Sequence, residues 1–418
     1  KMKVLLVSSK YQPEYSGSGF RAHNLYKRLS RKFNIDYDVV CNSIINKKNE
    51  IYEHDGVKVN KISYPVDFEI LSGFKRKFHI ILSMIYEFYY SYKFIKKNIN
   101  SYNLIHTFGN SWSGAFLTYY FYLKKKPIIR ELVNNMSTPY YPIQFKAFFK
   151  KIFQTNNSLI IAISKKLEKL CKTHMVKNIW MRPNPINENK FFYIDKLEKH
   201  KLRNKLTNFS KKDIILTHIA SYMEQKNHIF LLEVLKKLPK EYKLYLGGPV
   251  QNDEHKTNFE LVKNKITKLN LTERVVITKG FTKKIDEYIK LSDVFLFPAW
   301  NEALGTPILE AQACGVPVVV NLIKGSTDFW VKEGIGGYMV KNFDTKLWTK
   351  KIKLALKISN KTLRENSSKI IKIASNTKNV GLTNNYSFKS ILKNSLCGDK
   401  IKLELIVELS TIKSMKYE

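Results

Sequence analysis

Short apolar runs alternate with longer amphipathic stretches along most of the chain. The first runs fall at residues 4–7, 38–41, 103–107, 128–130 and 159–163. A second series occupies 214–219, 242–246, 275–278, 294–297 and 316–320. Between them lie stretches with the three-and-four spacing of a helix, among them 21–29, 228–238 and 285–291. Short buried strands separated by helices predict parallel sheets, because parallel neighbours need a crossover. Two successive series predict an α/β chain of two doubly wound domains.

The series are separated by WMRPNPIN at 180–187, with two prolines and two asparagines, and by the charged stretch 195–208, which has no sustained apolar face. That composition marks a connection, and places a hinge near residues 183–193. The expected division is a first domain over 1–190, a second over 191–372 and a tail over 373–418. The alternating pattern weakens in the tail.

Composition narrows the class. A length of 418 residues fits two domains, and 44% hydrophobic against 26% charged residues is the balance of a folded protein. Cys41, Cys171, Cys314 and Cys397 are scattered singly, which excludes a Cys-x-x-Cys zinc site and fits a reducing cytosol. No run reaches the roughly 18–20 apolar residues of a spanning helix, and the opening run is too short for a signal peptide. A soluble or peripheral protein is expected. The formal charge of +37 leaves three explanations open: nucleic acid, an anionic membrane surface, or a lysine-rich bias spread over solvated faces.

The chemistry concentrates in FPAWNEALGTPILEAQACGVPVVV at 297–320. A strand ends near Pro298, a loop follows, and a helix opens with Thr306 as its expected N-cap and Pro307 in its first turn. Loops that leave a parallel strand and feed a helix N-terminus bind ligands, phosphates above all. Gly305 lets a ligand approach the backbone. Glu302 in the loop and Glu310 one turn into the helix can address one crevice.

That spacing resembles the signature of retaining glycosyltransferase family 4: a Glu, seven residues, a second Glu followed by Ala, then Gly-x-Pro. The resemblance implies the GT-B fold, two Rossmann-like domains facing a central cleft. It implies that Glu302 contacts the transferred sugar, that Glu310 holds ribose hydroxyls, and that Leu304, Gly305 and Thr306 lie beside sugar and diphosphate. YQPEYSGSGF resembles the family's first glycine loop, with Gly17 and Gly19 near the donor. LGGP matches the turn facing the nucleotide through Gly248, and KGF matches the base cradle through Phe281. His106 stands where the family often has a histidine near the acceptor. Two positions depart from the pattern. Ala220 and Ser221 replace the usual Gly-Arg, so that Lys226 carries more of the diphosphate charge or Lys324 or another cation substitutes, with Ser221 still at the donor. Pro185 and Asn187 stand where Gly and Asp are usual in the hinge.

The implied reaction moves a sugar, a hexose or a relative, from a nucleotide-sugar to a glycan or lipid-linked acceptor, with retention. No Asp-x-Asp pair follows a strand, so no metal and no other cofactor are expected. Nucleic acid is not an expected partner, since no helix-turn-helix, zinc-finger or RNP signature occurs. A catalytically dead nucleotide-sugar binder is the remaining alternative. Aromatic and basic residues mix at 74–97, and Phe145, Phe148, Phe149 and Ile152 recur beside Lys146, Lys150 and Lys151. Both stretches suit either a domain core or an anionic bilayer at the cytoplasmic face.

Overall fold

A computed structural model describes the chain apart from residues 1, 15, 44–46, 68–69, 136, 281–283, 376–387, 394–399, 409–410 and 418. It divides into two compact units: residues 1–163, 167–182 and 378–418 form the first, and 164–166 with 183–377 the second.

Unit 1 opens with β1 (Lys3–Ser8), α1 (Gly17–Phe33), β2 (Asp36–Cys41), β3 (Glu50–His54) and β4 (Val57–Lys61). It continues through α2 (Gly73–Asn98), β5 (Leu104–Phe108), α3 (Trp112–Leu123), β6 (Ile128–Leu132), α4 (Lys146–Phe153), β7 (Ser158–Ala162), α5 (Lys165–Thr173) and β8 (Ile179–Met181). The eight strands run in the order β3-β4-β2-β1-β5-β6-β7-β8. All neighbours are parallel except β3 and β4, which form an antiparallel hairpin at one edge. Central strands such as β5 and β6 are buried at every residue, as sheets covered on both faces require. Helices α1 and α3 start where the sequence supplies a capping serine. Ser16 Oγ accepts from Gly19 N at 2.9 Å and closes the first turn of α1.

Unit 2 contains α6 (Lys196–Leu206), β9 (Ile214–Ile219), α7 (His228–Lys236), β10 (Tyr242–Gly248), α8 (Asp253–Lys268), β11 (Val275–Lys279), α9 (Ile285–Lys290) and β12 (Val294–Phe297). Then follow α10 (Thr306–Ala313), β13 (Val318–Asn321), α11 (Thr327–Trp330), β14 (Gly337–Val340), α12 (Thr345–Ala355) and α13 (Asn360–Ser375). The sheet is wholly parallel, ordered β11-β10-β9-β12-β13-β14. In order of appearance that is 3-2-1-4-5-6, the doubly wound dinucleotide-binding order. Its core joins Leu216, Leu244, Leu246, Val294 and Leu296 to the helix residues Leu231, Leu235 and Trp348.

The expected strands are present, and four elements appear that periodicity did not show: the β3–β4 hairpin, β8 and β14. Their runs are three to five residues long, too short to carry a period. Beyond residue 387 the backbone forms β15 (Phe388–Lys393), β16 (Lys400–Glu408) and β17 (Thr411–Tyr417), paired antiparallel.

Candidate functional site

The strand order of unit 2 reverses between β9 and β12, whose register sets Thr217 beside Phe295. At such a switch point the two exit loops diverge and leave a crevice at the carboxyl ends of the strands. Here the loops touch. Trp300 N donates to Gln225 O at 3.2 Å, and Lys226 Nζ donates to Glu302 Oε2 at 2.6 Å. Residues far apart in sequence thus form one ion pair because their strands are neighbours.

Lys226 lies before α7 and not in its first turn. It ends a single 3-10 turn, Glu224–Lys226, and Asn227 at φ 55° separates that turn from the helix. The left-handed residue breaks the helical path and swings the lysine toward β12. Its ammonium also lies 5.6 Å from the centroid of the Phe297 ring. Glu302 is held from the other side, with Oε1 accepting from Ala303 N at 3.0 Å. Burial pushes this carboxyl up, but the Lys226 ammonium and the Ala303 and Leu304 N–H groups outweigh it and hold the group below the usual range. The pair is ionised.

The start of α10 corrects an expectation. Its N-cap is Gly305, at φ 74°, with Thr306 already helical. Only the left-handed glycine lets the buried Leu304 and the helical Thr306 follow in sequence. The Thr306 hydroxyl accepts instead from Asn184 Nδ2 at 2.8 Å. Asn184, from the RPNP turn, is 7% exposed. One turn into α10, the Glu310 carboxyl has no hydrogen-bond or ion-pair partner among the described residues. Burial and the nearby Asp286 carboxylate push it up to about 7. The site therefore holds two glutamates in opposite states, one paired and charged, one partnerless and readily protonated.

A third wall comes from β10. A Cβ at Gly248 would lie 1.8 Å from Ala220 O and 3.2 Å from Ser221 N, so only glycine lets the strand end press against the loop carrying Ser221. A small recess opens there, bordered by Ile219, Tyr245, Gly248, Pro249, Gly280 and Ile285. Tyr245 stacks on Tyr288, with ring centroids 4.3 Å apart and planes at 10°. Phe281, expected in the base cradle, lies outside the described residues. Asn184, Phe297 and the tyrosine stack were not singled out from the sequence. The RPNP turn was a signal for the first, and nothing local marks the others.

The remaining predicted residues belong to unit 1. Gly17 and Gly19 form the first turn of α1, and a Cβ at Gly19 would meet Lys10 O at 2.3 Å. His106 is 4% exposed within β5. Its Nδ1 bonds the Tyr26 hydroxyl at 2.8 Å, and burial above all pushes its pKa down to about 3, so the ring is neutral. Arg130 and Glu131 are neighbours in β6 with separate partners, because successive strand residues face opposite sides. Arg130 donates to Asn110 Oδ1 at 2.7 Å. Glu131, fully buried, joins Arg21 at 2.9 Å and Arg182 at 2.8 Å. His23, His54 and Asp55 bring one ligand atom each within 4.8 Å. Lys27, however, already neutralises the Asp55 oxygen facing His23, and Gln12 Oε1 engages His54 Nε2 at 2.7 Å.

Comparison with known proteins follows the same division. Residues 187–375 match the family model described as glycosyl transferases group 1. A 165-residue stretch, 38% of the chain, is 28% identical to UDP-Gal:alpha-D-GlcNAc-diphosphoundecaprenol alpha-1,3-galactosyltransferase of Escherichia coli and spans 40% of that enzyme. The first curated relatives are matched over 27–40% of their own length. A longer match, 24% identical over 80% of the chain and 83% of the relative, is the capsular polysaccharide biosynthesis glycosyltransferase CapM of Staphylococcus aureus. Among solved structures, Anabaena Alr3699/HepE in complex with UDP and glucose superposes with a TM-score of 0.64 at 16% identity, covering 90% of this chain and 95% of that one. At that identity the likeness shows the fold, the two-sheet GT-B architecture.

Proposed function

From the match of residues 187–375 to the model of glycosyl transferases group 1, we propose that the protein is a retaining, metal-independent glycosyltransferase using a nucleotide-sugar donor. The observation that carries the reading is the 2.6 Å Lys226–Glu302 pair at the switch point, beside the start of α10. The C1–O bond to the diphosphate breaks, and the nucleoside diphosphate leaves with the electron pair. The acceptor hydroxyl bonds C1, and its proton passes to the departing phosphate oxygen. Charge grows on that phosphate, and pre-placed cations and N–H donors lower the barrier. Lys226 spends one N–H on Glu302 and retains two for phosphate. The α10 N-terminus adds backbone donors. Glu302, kept ionised, accepts from sugar hydroxyls, and Glu310 accepts from a ribose diol. The recess beside Tyr245 and Gly248 takes the base.

The Escherichia coli relative is named for UDP-Gal and a diphosphoundecaprenol acceptor, and the Anabaena structure contains UDP and glucose. A UDP-hexose and a glycan or lipid-linked acceptor are the choices these names support. His106, buried and neutral, is left out of the chemistry.

The test is slow donor hydrolysis by purified protein across a panel of nucleotide sugars without acceptor. One donor should release its nucleoside diphosphate, equally with and without EDTA. Lys226→Ala should slow release by ~10²–10³-fold with its circular dichroism unchanged. Activity abolished by EDTA and restored by magnesium or manganese would overturn the metal-independent account, and no turnover of any donor would leave a binding protein only.

A further inference from the structure

Helix α2 is built inside out. Its buried residues are Ser83, Glu87, Ser91 and Ile95. Glu87 accepts from both the N–H and the hydroxyl of Ser113, each at 2.9 Å, at the first turn of α3. Its outward residues are Phe74, Phe78, Ile81, Ile85, Tyr89 and Tyr92, 42–82% exposed. Each stands three or four positions from the next, so the six make one stripe along the helix. A surface helix of a globular protein normally presents the reverse arrangement, apolar stripe inward and polar face outward. Burial of Glu87 and two serines fixes the orientation, since turning the helix over would strand the Ser113 donors.

Unit 1 exposes further apolar residues at and just before α4. Phe148 of α4 is 38% exposed and packs on Tyr119 of α3 at 4.8 Å, while Phe149 and Ile152 of α4 are buried core. Ile143 and Phe145, just before α4, are 66% and 45% exposed. Lys75, Arg76 and Lys77 stand at one end of α2 and Lys93, Lys96 and Lys97 at the other, and Glu87 is its only acid. No helix among the described residues is long and apolar enough to cross a membrane.

We propose that α2 seats the protein on an anionic lipid bilayer, with its apolar stripe at the boundary of headgroups and acyl chains and its terminal lysines and arginine on the phosphates. Apolar residues flanked by basic ones are the composition of an interfacial helix, and the buried area and the charge attraction add. Charge selects this occupant over a second copy of the chain. Two molecules of charge +37 would bring like basic ends together. The docking deepens the reading of a lipid-linked acceptor, since it holds the enzyme at the surface where such an acceptor resides, but the binding itself needs neither donor nor acceptor.

The experiment is flotation of the full chain with vesicles of phosphatidylglycerol and phosphatidylcholine, against phosphatidylcholine alone, at low and high salt. The protein should float with the anionic vesicles at low salt and only partly detach at high salt. Replacing Ile81, Ile85 and Tyr89 together by serine should lower binding about tenfold, while Ile51→Ser, at the exposed β3, changes nothing. Thermal melting confirms that both variants fold. Donor hydrolysis without vesicles should be the same in the triple variant and the parent, so loss of turnover in both would sink the catalytic reading and leave the docking intact. No flotation at low salt, or equal binding by the triple variant, overturns the proposal. So does a parent dimer that the triple variant converts to monomer, which would assign the stripe to self-association.

Discussion

Glu302 and Glu310 stand eight residues apart and carry the same side chain, yet their surroundings drive them in opposite directions. Glu302 is held ionised by Lys226 and two N–H groups, whereas burial and Asp286 push Glu310 up to about 7. The unfolded Glu310 titrates near 4.5, so its folded pKa is raised. That contributes stability below pH ~4.5 and loses it as pH rises through about 7. Glu310→Gln should therefore stabilise the unliganded protein by ~1–3 kcal/mol at pH 8 and leave it nearly unchanged at pH 4.5. The same variant should weaken nucleotide binding by roughly 1.5–3 kcal/mol, because the ribose diol loses a charged acceptor. Melting curves at the two pH values and calorimetric titration with nucleoside diphosphate measure both. A variant less stable at pH 8, or binding nucleotide at parental affinity, removes Glu310 from the site. Glu302→Ala, by contrast, should lower turnover more than affinity.

At the scale of elements, the site is a meeting of strand ends, and its tightest joint is glycine. Gly248 ends β10 where a Cβ would fall 1.8 Å from a backbone oxygen. Backbone cannot yield as a rotamer does, so Gly248→Ala should separate β10 from the Ser221 loop, costing about 2 kcal/mol or more and loosening the recess. Denaturant midpoints and nucleotide affinity should fall together. A variant with parental stability would show that the joint opens freely. Gly248 was legible in LGGP, as Glu302, Glu310 and Gly305 were in the segment around them, because each is a local pattern at a strand end. The central strands of both sheets were legible for the same reason: runs buried on both faces are apolar throughout. What the sequence did not show depends on pairing at a distance. Nothing local tells that Lys226 turns toward β12, that Gly305 rather than Thr306 caps α10, or that Glu131 pairs with Arg21 and Arg182 instead of Arg130. In α2 the spacing was visible, but which face turns inward depends on Glu87 meeting Ser113.

Across the whole molecule, each unit carries histidine held neutral inside its own sheet. His106 in unit 1 is pushed down to about 3, and His218 in unit 2 to about 4, by burial in both cases. His228, beside His218 at 4.6 Å between ring centroids, is lowered well below its ordinary value by burial and by that neighbour. An unfolded histidine titrates near 6.5, so all three folded values are depressed. Their contribution to stability is intact above pH ~6.5 and falls as the unfolded chain takes up protons that the folded chain refuses. Each such group loses up to ~1.4 kcal/mol per pH unit below ~6.5. For His106 and His218 together that is roughly 3 kcal/mol between pH 6.5 and 5. Growing positive charge on a chain already at +37 acts in the same direction. Glu310 opposes it, gaining stability as pH falls through 7, but one carboxyl is outweighed by three imidazoles. Urea midpoints should therefore fall between pH 7 and pH 5, and His218→Asn should flatten the slope for unit 2 even if it lowers the midpoint at pH 7. Midpoints that hold constant over that range would mean that the buried imidazoles take up protons in the folded state, and the neutral interior assigned to both sheets would be wrong.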